Sequence, residues 1–189
     1  MEKTKAHQKR VKLRKQFWPG ADAWTGSDER GWFFAPRTLP LVLGLIASKD
    51  LSGRCDPTRV YLELWSRHFS GGIIEMKHEG DHAYAAGYVG NRGVRTWQER
   101  MKILEKNGFI KVQQIGNQQY AYVLLVHPTT AINQLRNAGK VPDIWWQTYC
   151  ARQIETKEPT YKQRMKAKAE AKVVTTGSST AQSKKSSIA

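Results

Sequence analysis

The sequence predicts an α+β fold that is mainly α. Three observations lead there. Apolar residues recur at helical spacing in several segments between residues 57 and 155. Two apolar runs flank the pair Gly116-Asn117, the pattern of a β-hairpin. Both ends of the chain are basic and poor in large apolar residues, so they read as tails rather than as layers of a core. At 189 residues and 40% hydrophobic, the chain is long enough for one core that needs no disulfide or metal.

The elements follow in order. Trp18, Trp24, Trp32, Phe33 and Phe34 lie in a stretch broken by Pro and Gly, an irregular lead-in that its aromatics would pack onto the body. Pro40 suits the first turn of a short apolar helix ending near Ser48. Residues 50–56 read as a loop. Asp56-Pro57 is a helix start, with the carboxylate as cap and Pro in the first turn. Val60, Leu64, Trp65 and His68 then recur at helical spacing up to Gly71-Gly72. Residues 73–76 begin with two β-branched side chains and read as a short strand. Ala83, Ala85 and Ala86 indicate a short helix, closed by a turn through Gly87 and Gly90. The clearest helix spans about 92–107, with Val94, Trp97, Met101 and Leu104 as its apolar stripe and Asn107-Gly108 as its stop. A hairpin over about 109–126 follows, ended by His127-Pro128, then closing helices over 130–138 and 143–155. Of Trp145 and Trp146, one is expected in the core and one partly exposed, which would suit a dimer interface.

The formal net charge is +15, and its distribution is uneven. Seven Lys/Arg against Glu2 give residues 1–15 a charge of +6, and eight against Glu158 and Glu170 give residues 156–189 another +6. Six more basic residues against Glu99 and Glu105 give residues 92–111 +4, which leaves the rest of the body near neutral. A polyanionic partner is implied. The organisation expected is a basic disordered arm (1–16), a folded domain (17–155) and a basic, Ser/Thr-rich disordered tail (156–189). Within that tail, 161–172 has good helix formers but no apolar face, and would become helical on an anionic partner. Cys55 and Cys150 stand far apart, which argues against a disulfide scaffold and for a reducing compartment. The longest apolar run, 39–47, is too short for a membrane span and contains Pro40 and Gly44. No apolar signal-peptide core is evident, so a cytoplasmic, nucleoid-associated location is expected, with no membrane partner.

The order helix, short strand, short helix, turn, longer helix and hairpin over 57–126 resembles the winged helix-turn-helix family. The run Val94-Arg95-Thr96-Trp97-Gln98-Glu99-Arg100-Met101-Lys102-Ile103-Leu104-Glu105-Lys106-Asn107-Gly108-Phe109-Ile110 is similar to that family's recognition helix entering its wing. Trp97, Met101 and Leu104 occupy the apolar places, and the Leu-Glu-x-x-Gly-Phe-Ile close follows. The turn 87–93 is longer than the tightest family versions. The basic arms and compact size are also similar to regulators and replication or maintenance proteins carried by bacterial plasmids.

The resemblance implies sequence-specific binding of double-stranded DNA by a homodimer, as a transcriptional regulator or a plasmid replication or maintenance factor. Arg92, Arg95, Thr96 and Glu99, in the first part of the helix, are the candidates for base edges. Arg100, Lys102, Lys106 and Lys111 are candidates for the phosphate backbone, and Asn117 and Gln118 at the hairpin tip for a phosphate or a minor-groove edge. The other readings are a solvated, internally paired charged face, and a sequence-independent nucleic-acid binder driven by its arms. His78-Glu79-Gly80-Asp81-His82 matches a zinc-hydrolase spacing, but Gly80 in mid-helix and the preceding strand count against it. No catalytic residue, metal ligand or cofactor is expected.

Overall fold

The computed structural model of the chain describes residues 5–20, 31, 33–68 and 71–171. Trp24, Trp32 and the tail beyond 171 lie outside these. The chain divides into two units, 1–32 and 33–189.

In the first unit, helix α1 covers Lys5–Phe17. The arm read as disordered is therefore helical over this span. Its Lys, Gln, Arg and Leu residues are good helix formers, and this local preference exists without any apolar face to bury. At its end Phe17 and Trp18 meet edge-on, with ring centroids 5.7 Å apart.

The second unit runs α2 (Leu39–Ile46), α3 (Lys49–Ser52), α4 (Thr58–Arg67), β1 (Ile73–Glu75), α5 (Glu79–Ala85), α6 (Gly93–Lys106), β2 (Ile110–Ile115), β3 (Gln118–Leu125), α7 (Pro128–Asn137) and α8 (Asp143–Thr156). Residues 161–171 form one more helix, α9. The fold is thus α+β and mainly helical. Three strands make one antiparallel sheet in the order β1-β3-β2. Ile73 pairs with Leu124 and Ile110 with Leu125, so β3 is the central strand. The stretch read as a loop after residue 50 contains the single turn α3. Its Leu51 carbonyl accepts a hydrogen bond from Asn107 Nδ2 at 3.2 Å, a contact 56 residues away in sequence.

At the start of α4, Asp56 Oδ1 accepts from the Thr58 amide at 2.9 Å, but the helix begins one residue later than expected, with Pro57 rather than Asp56 at the cap position. Val60, Tyr61 and Leu64 of α4 are fully buried against Trp97, Met101 and Leu104 of α6, and Phe109, Tyr120 and Val123 complete the centre of the core. Val94 corrects the predicted stripe: it is 38% exposed, while Gly93 is buried. The first turn of α6 faces the core through its backbone instead. A Cβ on Gly93 would stand 2.5 Å from the Tyr88 carbonyl oxygen. Gly93→Ala should therefore cost about 1–3 kcal/mol as an overpacking change, read from the urea midpoint. A loss no larger than that of an exposed helical Gly→Ala would contradict the close approach.

The closing helix begins at Pro128 rather than 130. Pro occupies the first turn and His127 caps it, with Nδ1 accepting from the Thr129 amide at 3.3 Å. Both tryptophans of α8 are half-buried. Trp145 stacks on Tyr149 at 5.0 Å and donates its Nε1–H to the Leu41 carbonyl at 3.3 Å, while Trp146 lies under the Arg136 guanidinium.

Residues 156–171 are also not the disordered tail expected from composition. The Glu158 carboxylate accepts from the Thr38 amide at 2.9 Å and from its hydroxyl at 2.7 Å, and Arg164 donates to Thr129 Oγ1 at 2.8 Å. Burial, with Arg164 and Lys168 adding repulsion, pushes His127 down to about 4. A histidine held neutral below its free value of about 6.5 stabilises the fold above that pH, and the contribution falls away as pH drops towards 4. His127→Asn keeps a capping side chain that does not titrate. Its thermal midpoint should therefore fall less than that of the parent between pH 7 and 5; an equal fall would remove His127 as the cause.

Candidate nucleic-acid interface

Helix α6 is amphipathic across its width. With Trp97, Met101 and Leu104 buried, Arg92, Arg95, Glu99, Lys102 and Lys106 lie on the opposite side at helical spacing, and all five are exposed. Four positive charges and one negative charge therefore share one stripe. The Arg95 side chain is 83% exposed, with Nε 3.6 Å from Glu99 Oε1. Glu99 also meets Arg100 Nη1 at 3.1 Å. Thr96, at the flank, is half-buried.

Arg100 is placed differently from its expected backbone-contacting role. Its side chain is only 16% exposed, its Nη1 donates to the Thr96 carbonyl at 3.2 Å, and its guanidinium lies 5.4 Å above the Tyr88 ring. Tyr88 belongs to the turn 86–92 that joins α5 to α6. Gly87 in that turn takes φ +83°, and the Tyr88 amide donates back to the Ala83 carbonyl at 2.9 Å. Arg100 thus braces the turn that aims α6.

The hairpin splits in the same way. Lys111 on β2 and Asn117 at the turn are exposed. Gln118 is half-buried and donates its amide hydrogen to the Met76 carbonyl, which ties the hairpin to the end of β1. Tyr120 donates its hydroxyl to the Gln98 carbonyl at 3.3 Å, tying β3 to α6. Burial, with Glu105 and Glu79 adding to it, pushes the Tyr120 phenol up to about 12, so it remains a neutral donor.

Between α6, the start of α5 and the hairpin turn lies an open groove of 630 Å³, lined in part by Lys77, His78, Gln98, Asn117 and Gln119. Sequence reasoning missed Lys77 and Gln98. No local pattern joins Lys77 to Gln98, Asn117 and Gln119, which line the same groove from 21 to 42 residues away along the chain. Gln98 is held there by donating to Glu79 Oε2 at 2.6 Å.

The zinc-like spacing resolves into two unrelated histidines. His78 is exposed, whereas His82 is buried with Nδ1 3.0 Å from Glu63 Oε1 and its ring 6.1 Å from that of Trp97. Glu63 also takes Arg67 as a partner. His82 therefore serves to join α5 to α4. Among the described residues, no three His, Cys, Asp or Glu side chains gather as a metal site. No helix among them is long and apolar enough to cross a membrane. Comparisons with models of protein families, with curated protein sequences and with solved structures find no match.

Proposed function

We propose that this chain is a winged helix-turn-helix protein that binds double-stranded DNA sequence-specifically, with α6 in the major groove and the β2–β3 hairpin as its wing. The stripe of Arg92, Arg95, Lys102 and Lys106 on the solvent side of α6 is the observation that carries the reading. The element order α4–β1–α5–α6–β2–β3, with β1 paired to β3, supports it. An α-helix about 10–12 Å across fits a major groove about 12 Å wide. Arg92 and Arg95 are the candidates for guanine edges, Lys102, Lys106 and Lys111 for phosphates, and Asn117 for the wing contact. Arg100 and Gln118 act as braces of the two reading elements. The role is that of a regulator or a plasmid replication or maintenance factor, a binding protein rather than an enzyme. It acts as a homodimer, for which the exposed Ile144 and Ile154 on α8 offer apolar surface.

Selection of bound fragments from random duplexes tests the reading. One enriched motif, held about 10³-fold or more above random DNA, is the expected result. Arg95→Ala should then cost about 1–3 kcal/mol at one base pair and leave the others ranked as before. A uniform loss on every duplex would instead favour a sequence-independent binder, a reading that the Arg95–Glu99–Arg100 pairing supports by occupying the face with internal contacts.

A further inference from the structure

A second candidate site lies away from α6, where α7, α8 and the start of α9 enclose a cavity of 200 Å³. Trp146, Tyr149 and Gln153 of α8 and Asn133 of α7 form one side, and Tyr161 and Lys162 of α9 form the other. The α8 side is rigid. Tyr149 is buried between its stacked neighbour Trp145 and Trp146, whose ring centroid is 6.0 Å away. Gln153, 5% exposed, is oriented by donating to the Tyr149 hydroxyl at 3.3 Å.

The α9 side is fastened by Glu158, whose carboxylate holds Thr38 and whose amide donates to the Gln153 carbonyl at 3.0 Å, and by Arg164 on Thr129, and residues 159–163 bridge the cavity between them. Tyr161 is half-buried there and Lys162 is exposed at the edge.

Size and charge define what would fit. An apolar cavity of about 150 Å³ accepts benzene, whereas drug-sized ligands need about 300 Å³ or more. The volume here admits one ring. Trp146, Tyr149 and Tyr161 line it, which suits a flat ligand. Lys162 and Arg164 contribute positive charge, and the carboxylate of Glu158 is already engaged by Thr38. We propose that this cavity binds a single-ring aromatic carboxylate, its ring between Trp146 and Tyr161 and its carboxylate towards Lys162, and that the bound ligand fastens α9 to the body. A ligand that touches α8 and α9 together binds only the docked arrangement, so it shifts the population towards that state. The site is independent of the DNA-binding reading.

Benzoate and its neutral isostere benzamide, titrated separately into the full chain, test the proposal, with saturation-transfer NMR reporting binding and amide exchange reporting residues 159–171. Benzoate should bind saturably at millimolar concentration and slow exchange across 159–171. Lys162→Gln should weaken benzoate about tenfold, the size of one charge-assisted contact, and leave benzamide unchanged. Tyr161→Ala, outside the main core, should weaken both. Absence of saturable benzoate binding, benzamide binding as tightly as benzoate, or binding without slowed exchange in 159–171 would each overturn it.

Discussion

Trp97→Ala is expected to cost about 3–5 kcal/mol, a large share of the about 5–15 kcal/mol that stabilises a typical domain. Trp97 has no exposed surface and is the largest fully buried side chain. It meets Tyr120 edge-on at 5.3 Å and faces the His82 ring at 6.1 Å, so its removal opens a void where α5, α6 and β3 converge. The indole Nε1–H is buried without a hydrogen-bond partner. Trp97→Phe keeps much of the ring contact and removes that unsatisfied donor, so it should be far milder than alanine. Urea denaturation followed by circular dichroism separates the three proteins. A loss below about 1 kcal/mol for alanine is the value for an ordinary surface change, and it would mean that Trp97 is not central.

Deleting residues 1–15 is expected to weaken binding to every duplex alike and to flatten its salt dependence. Each phosphate neutralised contributes about 0.9 to the slope of log affinity against log salt. Seven Lys/Arg lie in this arm, so losing them should reduce the slope by up to about 6. The arm lies within the 1–32 unit, so the deletion removes no residue of the 33–189 unit. The ranking of sites should persist, because ranking would depend on Arg92 and Arg95. If the slope is unchanged, the phosphate contacts must be sought in α6 and the hairpin alone.

Much of the second unit was legible in the sequence. Period-3.6 stripes mark α4 and α6, and Asn107-Gly108 ends α6 where expected, with Gly108 at φ +76°, whereas α4 ends at Arg67, short of the Gly71-Gly72 stop, with His68 extended. The hairpin turn falls at Gly116-Asn117, between Ile115 and Gln118. Errors came where a tertiary contact overrides local pattern. Val94 was assigned to the core by periodicity, but the close approach of Gly93 to Tyr88 rotates the first turn of α6 and leaves Val94 outside. Helical spacing puts Arg100 on the flank as a phosphate-contact candidate, but the Tyr88 ring offers its guanidinium a cation–π contact. The carboxy-terminal segment was assigned to disorder, yet Glu158 and Arg164 find partners 120 and 35 residues away.

By itself, the sequence determined where charge concentrates, which segments are helices and where the hairpin turns, because those properties depend on residues within one or two turns of each other. Only the tertiary structure decided which candidate side chains stay exposed, since that depends on what packs beside them. Arg95 remains open, while Arg100 and Gln118 are spent on bracing. It also brought His82 against Glu63 and closed α9 over a cavity. Side chains far apart along the chain acquire partners only when the fold brings them within hydrogen-bonding distance, and no pattern of neighbouring residues records that distance.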